Sequence, residues 1–289
     1  MSRTEGNVMW EVIKIVIVGI VQGLTEFLPV SSSGHIAIFK EIFGLSENGV
    51  AFDVLLHFGT LIAVCVFYYK DIIALVFEAI ELVKDIFKRN KIYNKERPYR
   101  VLLLMLIITT IPTAIAGLLL EDLFETVFTS LLVIGIALLI TSALMYIISN
   151  IKVGTKQAKD ITVKDALVVG LCQSCAITPG ISRSGATIFA GRISGFDTQL
   201  AVKYSFLCSL PAVLGSVVLK IGDLFEQSLS NTQVTGYIIA FIASGIVGFL
   251  SLSMLNMMAK KRNMKPFAIY CACAGLFCIV YSIVKAISV

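Results

Sequence analysis

The sequence predicts an all-α integral membrane protein with six transmembrane helices, two re-entrant helix–loop–helix segments and an inverted-topology repeat. Three observations carry that prediction. Apolar residues fill 57% of the 289 positions and charged residues only 15%, against roughly 45–50% and about 25% in soluble domains. Apolar stretches near twenty residues recur at 51–69, 101–120, 130–149, 200–219, 234–255 and 266–284, each long enough to cross a hydrocarbon core of roughly 30 Å as a helix. Two further segments, 8–45 and 162–196, are apolar but interrupted by prolines, glycines, serines and charges. Irregular backbone at membrane depth is tolerated only where protein buries it or where it lines a wet cavity.

Taken in order, the first apolar run, 12–24, has the length of a signal-peptide core, but no small-residue cleavage site follows it. It is expected to be retained, and to be too short to span alone once Glu11 and Lys14 are excluded. The first full span, 51–69, follows the interrupted segment. Residues 72–88 (IIALVFEAIELVKDIFK) space their charges like an interfacial amphipathic helix. Seven basic residues between Lys84 and Arg100 face only Asp85 and Glu96. Lys152, Lys156, Lys159 and Lys164 mark a second basic loop, and Lys260, Lys261, Arg262 and Lys265 a third. The loops at 121–129 (Glu121, Asp122, Glu125) and 222–233 (Asp223, Glu226) carry no basic residue. The positive-inside rule places the basic loops in the cytoplasm and both termini outside. The net charge of +5 therefore belongs to loops, and no nucleic-acid partner is expected. Trp10 and the tyrosine pair at 68–69 suit interfacial anchoring. The seven cysteines read as buried small hydrophobes, since the Cys172/Cys175 pair has no second pair to complete a zinc site.

Sliding the chain by 151 residues lays "GIVQGLTEFLPVSSSGH" (19–35) over "GLCQSCAITPGISRSGA" (170–186). Gly19, Gln22, Ser31, Ser33 and Gly34 meet Gly170, Gln173, Ser182, Ser184 and Gly185 without a gap. Residues 1–150 and 151–289 then form two repeats of a single membrane domain. Their interrupted segments dip in from opposite sides, and binding sites in such folds lie near the midplane where interrupted helices meet.

The chemistry-bearing residues lie in those two segments. In "PGISRSGAT" (179–187), Pro179 stops a helix, Gly180 and Gly185 permit tight backbone, and Ser182 and Ser184 offer hydroxyls at the start of a new helix. Such an N-terminus favours anions, and Arg183 adds a planar fork suited to phosphate oxygens. A buried arginine costs roughly 2.5 kcal/mol or more at a helix centre, so it needs an anionic ligand or a structural partner, for which Glu26 is the candidate. In the first segment Gln22 and Glu26 share a helix face, Pro29 breaks that helix, and Ser31, Ser32, Ser33 and Gly34 are expected to form a hydroxyl-rich loop closing on His35. A serine becomes a nucleophile when a base takes its proton; His35 and Glu26 are the candidate bases. Asp53 and His57, also four apart, are candidates for supporting the site from behind. Arg192, Asp197 and Lys203 read as surface or boundary charges.

Together "VQGLTEFLPVSSSGH" (21–35) and "PGISRSGAT" (179–187) resemble the two signature motifs of the undecaprenyl-diphosphate phosphatases, the bacitracin-resistance protein family of bacteria. The resemblance covers essentially the whole chain. It implies removal of the terminal phosphate of undecaprenyl diphosphate, a polyprenyl diphosphate lipid, which recycles the carrier for cell-wall synthesis. It makes Glu26 the catalytic carboxylate and metal ligand, and Ser32, His35 and Arg183 its catalytic companions. Gln22, Ser31, Ser33, Ser182, Ser184, Gly185 and Thr187 become substrate-binding positions. The family uses Mg2+ or Ca2+, and its site is thought to open to the extracytoplasmic face of the bacterial plasma membrane. Many relatives carry a glutamate where this chain has Gln22, which leaves Glu26 the main anionic metal contact. Attack by Ser32 aided by His35 is the expected mechanism, with direct attack by water as its variant. A lipid-phosphate transporter or flippase is the rival reading, because inverted repeats are also transporter architecture. The sequence leaves room for a homodimer.

Overall fold

The computed structural model describes residues 3–44, 50–127, 130–220, 222, 229–260 and 263–288. Eleven α-helices account for most of them: α1 (Arg3–Phe27), α2 (Ser32–Phe43), α3 (Val50–Phe67), α4 (Tyr69–Phe87), α5 (Pro98–Val127), α6 (Leu131–Asn150), α7 (Val163–Cys175), α8 (Arg183–Ile193), α9 (Thr198–Lys220), α10 (Asn231–Lys260) and α11 (Lys265–Ser288). Among the described residues the only β pairing is the isolated bridge between Lys156 and Phe196. Asp223, Glu226, Lys261 and Arg262, which entered the loop-charge argument, lie outside the described residues.

Six of these helices are long and apolar enough to cross a membrane: Val8–Phe27, Pro98–Leu119, Leu131–Asn150, Thr198–Leu219, Asn231–Lys260 and Lys265–Ile287. The number matches the sequence expectation, but the set differs. The run at 12–24, expected to be too short, belongs to a 25-residue helix. Its charges are accommodated near one end. The Lys14 ammonium donates to the Phe43 carbonyl at 3.0 Å and lies 5.8 Å from the Trp10 ring centroid, so its stem can run along apolar surface while its head is satisfied. The stretch 51–69 lies in a bent pair, α3 and α4 meeting at 85°, which adds a seventh span where the pair is counted as one. Turned aside in this way, α4 has the expected amphipathic form. Ile73, Val76, Phe77, Ile80 and Val83 are exposed on it, while Glu78 and Asp85 accept from the buried Arg100 at 2.9 Å each.

The helices pack in pairs. α1 lies along α10 and α5 along α7, while α6 and α11 pack on each other. Small residues let those backbones approach. A Cβ on Gly135 of α6 would lie 2.8 Å from the Gly275 carbonyl oxygen of α11, and a Cβ on Gly275 equally close to that of Gly135, the small-residue contact typical of helices that lack a hydrophobic drive to associate in lipid.

Several side chains depart from expectation. Arg192 is buried, donating to Thr198 Oγ1 at 2.6 Å, and is no surface charge. Tyr69 and Trp10 are exposed as anchors would be, whereas Tyr68 is buried and donates to Asn256 at 3.3 Å. Cys208, Cys271 and Cys278 are buried, but Cys65, Cys175 and Cys273 are exposed on helix surfaces. An apolar exterior suited to lipid makes exposure no cost for a thiol.

Candidate active site

Two chain breaks converge at the centre. α1 ends at Phe27, where Pro29 lacks the N–H a helix would need. Ser31 then caps α2, its Oγ accepting from the Gly34 N–H at 3.3 Å, so residues 32–35, expected as a loop, form the first turn of a helix instead. In the second half α7 ends at Cys175, Gly180 turns the chain at φ 94°, and Ser182 caps α8 by accepting from the Gly185 N–H at 3.1 Å. The caps are tied together. The Gly180 N–H donates to Ser33 Oγ at 3.4 Å, and the Ser184 hydroxyl donates to the Leu28 carbonyl at 3.3 Å.

Glu26 sits where they meet, its side chain 3% exposed. One carboxylate oxygen is paired with the Arg183 guanidinium. The other accepts from the Ser32 hydroxyl at 2.6 Å and from the Gln22 amide at 3.0 Å. The Gln22 amide nitrogen also lies 2.9 Å from His57 Nδ1, itself 3.4 Å from the same Glu26 oxygen. Arg183 and His57 remain 25% and 30% exposed at their side chains, and Ser32 is partly exposed. The cluster is therefore buried at its carboxylate and open at its guanidinium, hydroxyl and imidazole. The compensating partner of the buried arginine is Glu26, the structural alternative raised by the sequence. The same pairing brings the Ser32 hydroxyl, a carboxylate and a guanidinium to one point.

The remaining predicted positions are placed as follows. Ser182, Ser184 and Thr187 are buried. Ser182 and Ser184 hydroxyls meet at 3.1 Å, and the Thr187 hydroxyl meets that of Ser205 on α9 at 2.6 Å. With Gly185 they build and pin the α8 N-terminus, whose dipole end favours negative charge; Arg183 alone reaches the carboxylate. Ser33 is exposed and lies 3.4 Å from Ser31 Oγ. His35 is buried, with Nδ1 2.7 Å from the Ser31 carbonyl and Nε2 2.7 Å from the Tyr270 hydroxyl. Ser32 thus gives its hydroxyl to Glu26, and both ring nitrogens of His35 are engaged elsewhere. Of the supporting candidates, His57 joins the site, while Asp53 accepts from Lys40 at 2.9 Å. Tyr270 was missed by sequence reasoning, because its partner is 235 residues distant and no local spacing marks it.

The 151-residue offset recurs in the hydrogen bonds. Gln22 meets His57 at 2.9 Å, and their counterparts Gln173 and Cys208 meet at 3.0 Å. The Ser31–Gly34 and Ser182–Gly185 caps correspond in the same way. Opposite Glu26 the second segment carries Ile177, and opposite Ser32 it carries Arg183. One segment supplies the carboxylate and hydroxyl, the other the cation.

Residues 15–277 match the family model described as bacitracin resistance protein BacA. The chain belongs to the bacitracin resistance protein family. Within it, a protein of Methanosphaera stadtmanae named undecaprenyl-diphosphatase is 40% identical over 279 residues, covering 96% of this chain and 100% of its own. One of Alkaliphilus metalliredigens with the same name is 41% identical over 271 residues, covering 93% of this chain and 98% of its own. A third, from Halothermothrix orenii, also so named, is 36% identical over 270 residues at 93% and 98% coverage. The match to the bacitracin resistance family takes in residues 15–45 of the first interrupted segment and all of the second, and so every residue of the cluster around Glu26.

Proposed function

We propose that this protein is an integral membrane phosphatase that hydrolyses undecaprenyl diphosphate to undecaprenyl phosphate and inorganic phosphate, returning the carrier lipid to cell-wall synthesis. The observation that carries the chemistry is the Ser32–Glu26–Arg183 constellation: a hydroxyl 2.6 Å from a buried carboxylate whose other oxygen is held by a guanidinium. In phosphoryl transfer the protein's main tasks are positioning and neutralisation of charge. The Arg183 fork and the α8 N-terminus receive the terminal phosphate, with the prenyl tail left among the spans. Glu26 takes the Ser32 proton as Oγ bonds to the terminal phosphorus and the bridging P–O bond breaks. Water then attacks the phosphoserine, the Oγ–P bond breaks as Glu26 returns its proton to Ser32 Oγ, and inorganic phosphate leaves carrying the oxygen and hydrogens of the water.

A divalent cation, Mg2+ or Ca2+, belongs to the same proposal. Among the described residues no group of three His, Cys, Asp or Glu side chains is gathered to hold one. Magnesium, however, commonly takes only one or two carboxylates, the rest of its shell being phosphate oxygens and water. The Glu26 carboxylate is one hard donor. The Gln22 side-chain oxygen, fully buried and without a hydrogen-bond partner, is a second that fits a cation better than it fits its present surroundings. When bound, the ion would supply neutralisation of the diphosphate. Chelation with EDTA is expected to reduce phosphate release by the detergent-purified protein at least about tenfold, restored by Mg2+ or Ca2+; unchanged release after exhaustive chelation would remove the metal from the proposal.

We place the protein in the plasma membrane with its site opening to the extracytoplasmic side, supported by the basic loops at 84–100 and 152–164, and treat the halves 1–150 and 151–289 as inverted repeats, supported by the shared offset of their hydrogen bonds. The paired hairpins also favour the transport reading. Phosphate release in detergent separates the two, because hydrolysis needs no sealed bilayer and transport does.

A further inference from the structure

Ser31 holds φ 71° and ψ 98°, and apart from Arg89 it is the only non-glycine residue with positive φ among the described residues. Such backbone persists only where its surroundings over-determine it. It immediately precedes Ser32, so it sets the direction from which that hydroxyl meets Glu26. The Ser31 carbonyl accepts from the His35 backbone N–H at 3.3 Å and from the His35 ring at Nδ1 at 2.7 Å. A carbonyl can only accept, so Nδ1 carries a hydrogen. Nε2 of the neutral ring is then an acceptor, and the Tyr270 hydroxyl donates to it at 2.7 Å. The two rings lie nearly parallel, at 12°, with centroids 5.5 Å apart.

We propose that Tyr270 and His35 form a clamp on the Ser31 carbonyl that keeps Ser32 aimed at Glu26, both acting as positioning residues and His35 not as the base. The second hairpin provides the internal comparison. Its capping serine, Ser182, has an ordinary φ of −70°, it precedes no nucleophile, and the position equivalent to His35 is Ala186. The clamp is present only where the backbone is strained. The inference rests on the phosphatase reading, and deepens it by separating the role of the histidine from that of the carboxylate.

The test compares phosphate release from undecaprenyl diphosphate by purified wild type, His35→Asn, His35→Ala and Tyr270→Phe. An asparagine amide can replace the Nδ1–H donor but cannot accept a proton as a base. We expect His35→Asn to stay within about tenfold of the wild-type kcat and His35→Ala to fall at least about a hundredfold. Tyr270→Phe should lower kcat about tenfold, leaving KM within about twofold, as for an interaction that serves the reaction step rather than binding. His35→Asn as inactive as His35→Ala, or Tyr270→Phe with wild-type kcat, would overturn the clamp. Wild type that releases no phosphate would instead overturn the phosphatase reading.

Discussion

Arg183→Ala is expected to lower kcat/KM by about 10³–10⁵-fold, the range found when a transition-state arginine is removed from phosphoryl-transfer sites. The guanidinium is paired with Glu26 and its side chain also reaches the open part of the site, so its loss removes the receptor for the terminal phosphate. The substitution also leaves Glu26 buried without its partner, and breaking a buried pair costs about 3–5 kcal/mol. Arg183→Lys separates the two effects. It keeps the charge, and hence most of the stability, but loses the two-pronged geometry that matches phosphate. The expected pattern is a folded Lys variant, by elution on gel filtration and by thermal stability, with activity still reduced at least about a hundredfold. A Lys variant with wild-type turnover would mean that charge alone suffices there.

Glu26→Gln carries the second large effect. The amide preserves the size of the side chain and can still accept one hydrogen bond, but it cannot take the Ser32 proton. It also no longer balances Arg183. General-base removal is worth about 10²–10⁴-fold, and the loss should appear in kcat, since Ser32 is activated only as the reaction proceeds. Measured on the same preparations, Gln22→Glu provides a contrast. It would place a second carboxylate beside Glu26, where Gln22 now donates to it at 3.0 Å, so a rise in the cation concentration needed for activity in Glu26→Gln but not in Gln22→Glu supports Glu26 as the principal metal contact.

The parts of this site legible in the sequence were those governed by local geometry. The i,i+4 spacing of Gln22 and Glu26 put them on one face, and they are hydrogen-bonded there. The stretch around Ser182 and Gly185 read as the approach to a helix, and it forms a cap, whereas residues 31–35 read as a loop although Ser31 caps a helix there. The glycines and prolines located both chain breaks. What escaped was set by tertiary partners. Nothing near Tyr270 in the chain signals that it meets His35. His57 could be proposed as support, but only the crossing of α3 with α1 puts its Nδ1 against the Gln22 amide. The first helix was read too short because Glu11 and Lys14 were counted as interruptions, whereas the long lysine stem finds a carbonyl 29 residues away. Arg192 was read as a surface or boundary charge because its acceptors, Thr198 and the Ile151 carbonyl, are supplied by the start of α9 and by the residue that follows α6. The residue types disclosed the chemistry. Which hydroxyl faces which base was settled by packing.

The stereochemical course at the terminal phosphorus tests the Ser32 mechanism most directly. A substrate carrying a chiral, isotope-labelled terminal thiophosphoryl group is hydrolysed by the purified protein in labelled water, and the configuration of the released thiophosphate is read. Transfer first to Ser32 and then to water involves two in-line displacements, so the account predicts net retention. Net inversion, the mark of a single displacement by water, would contradict it.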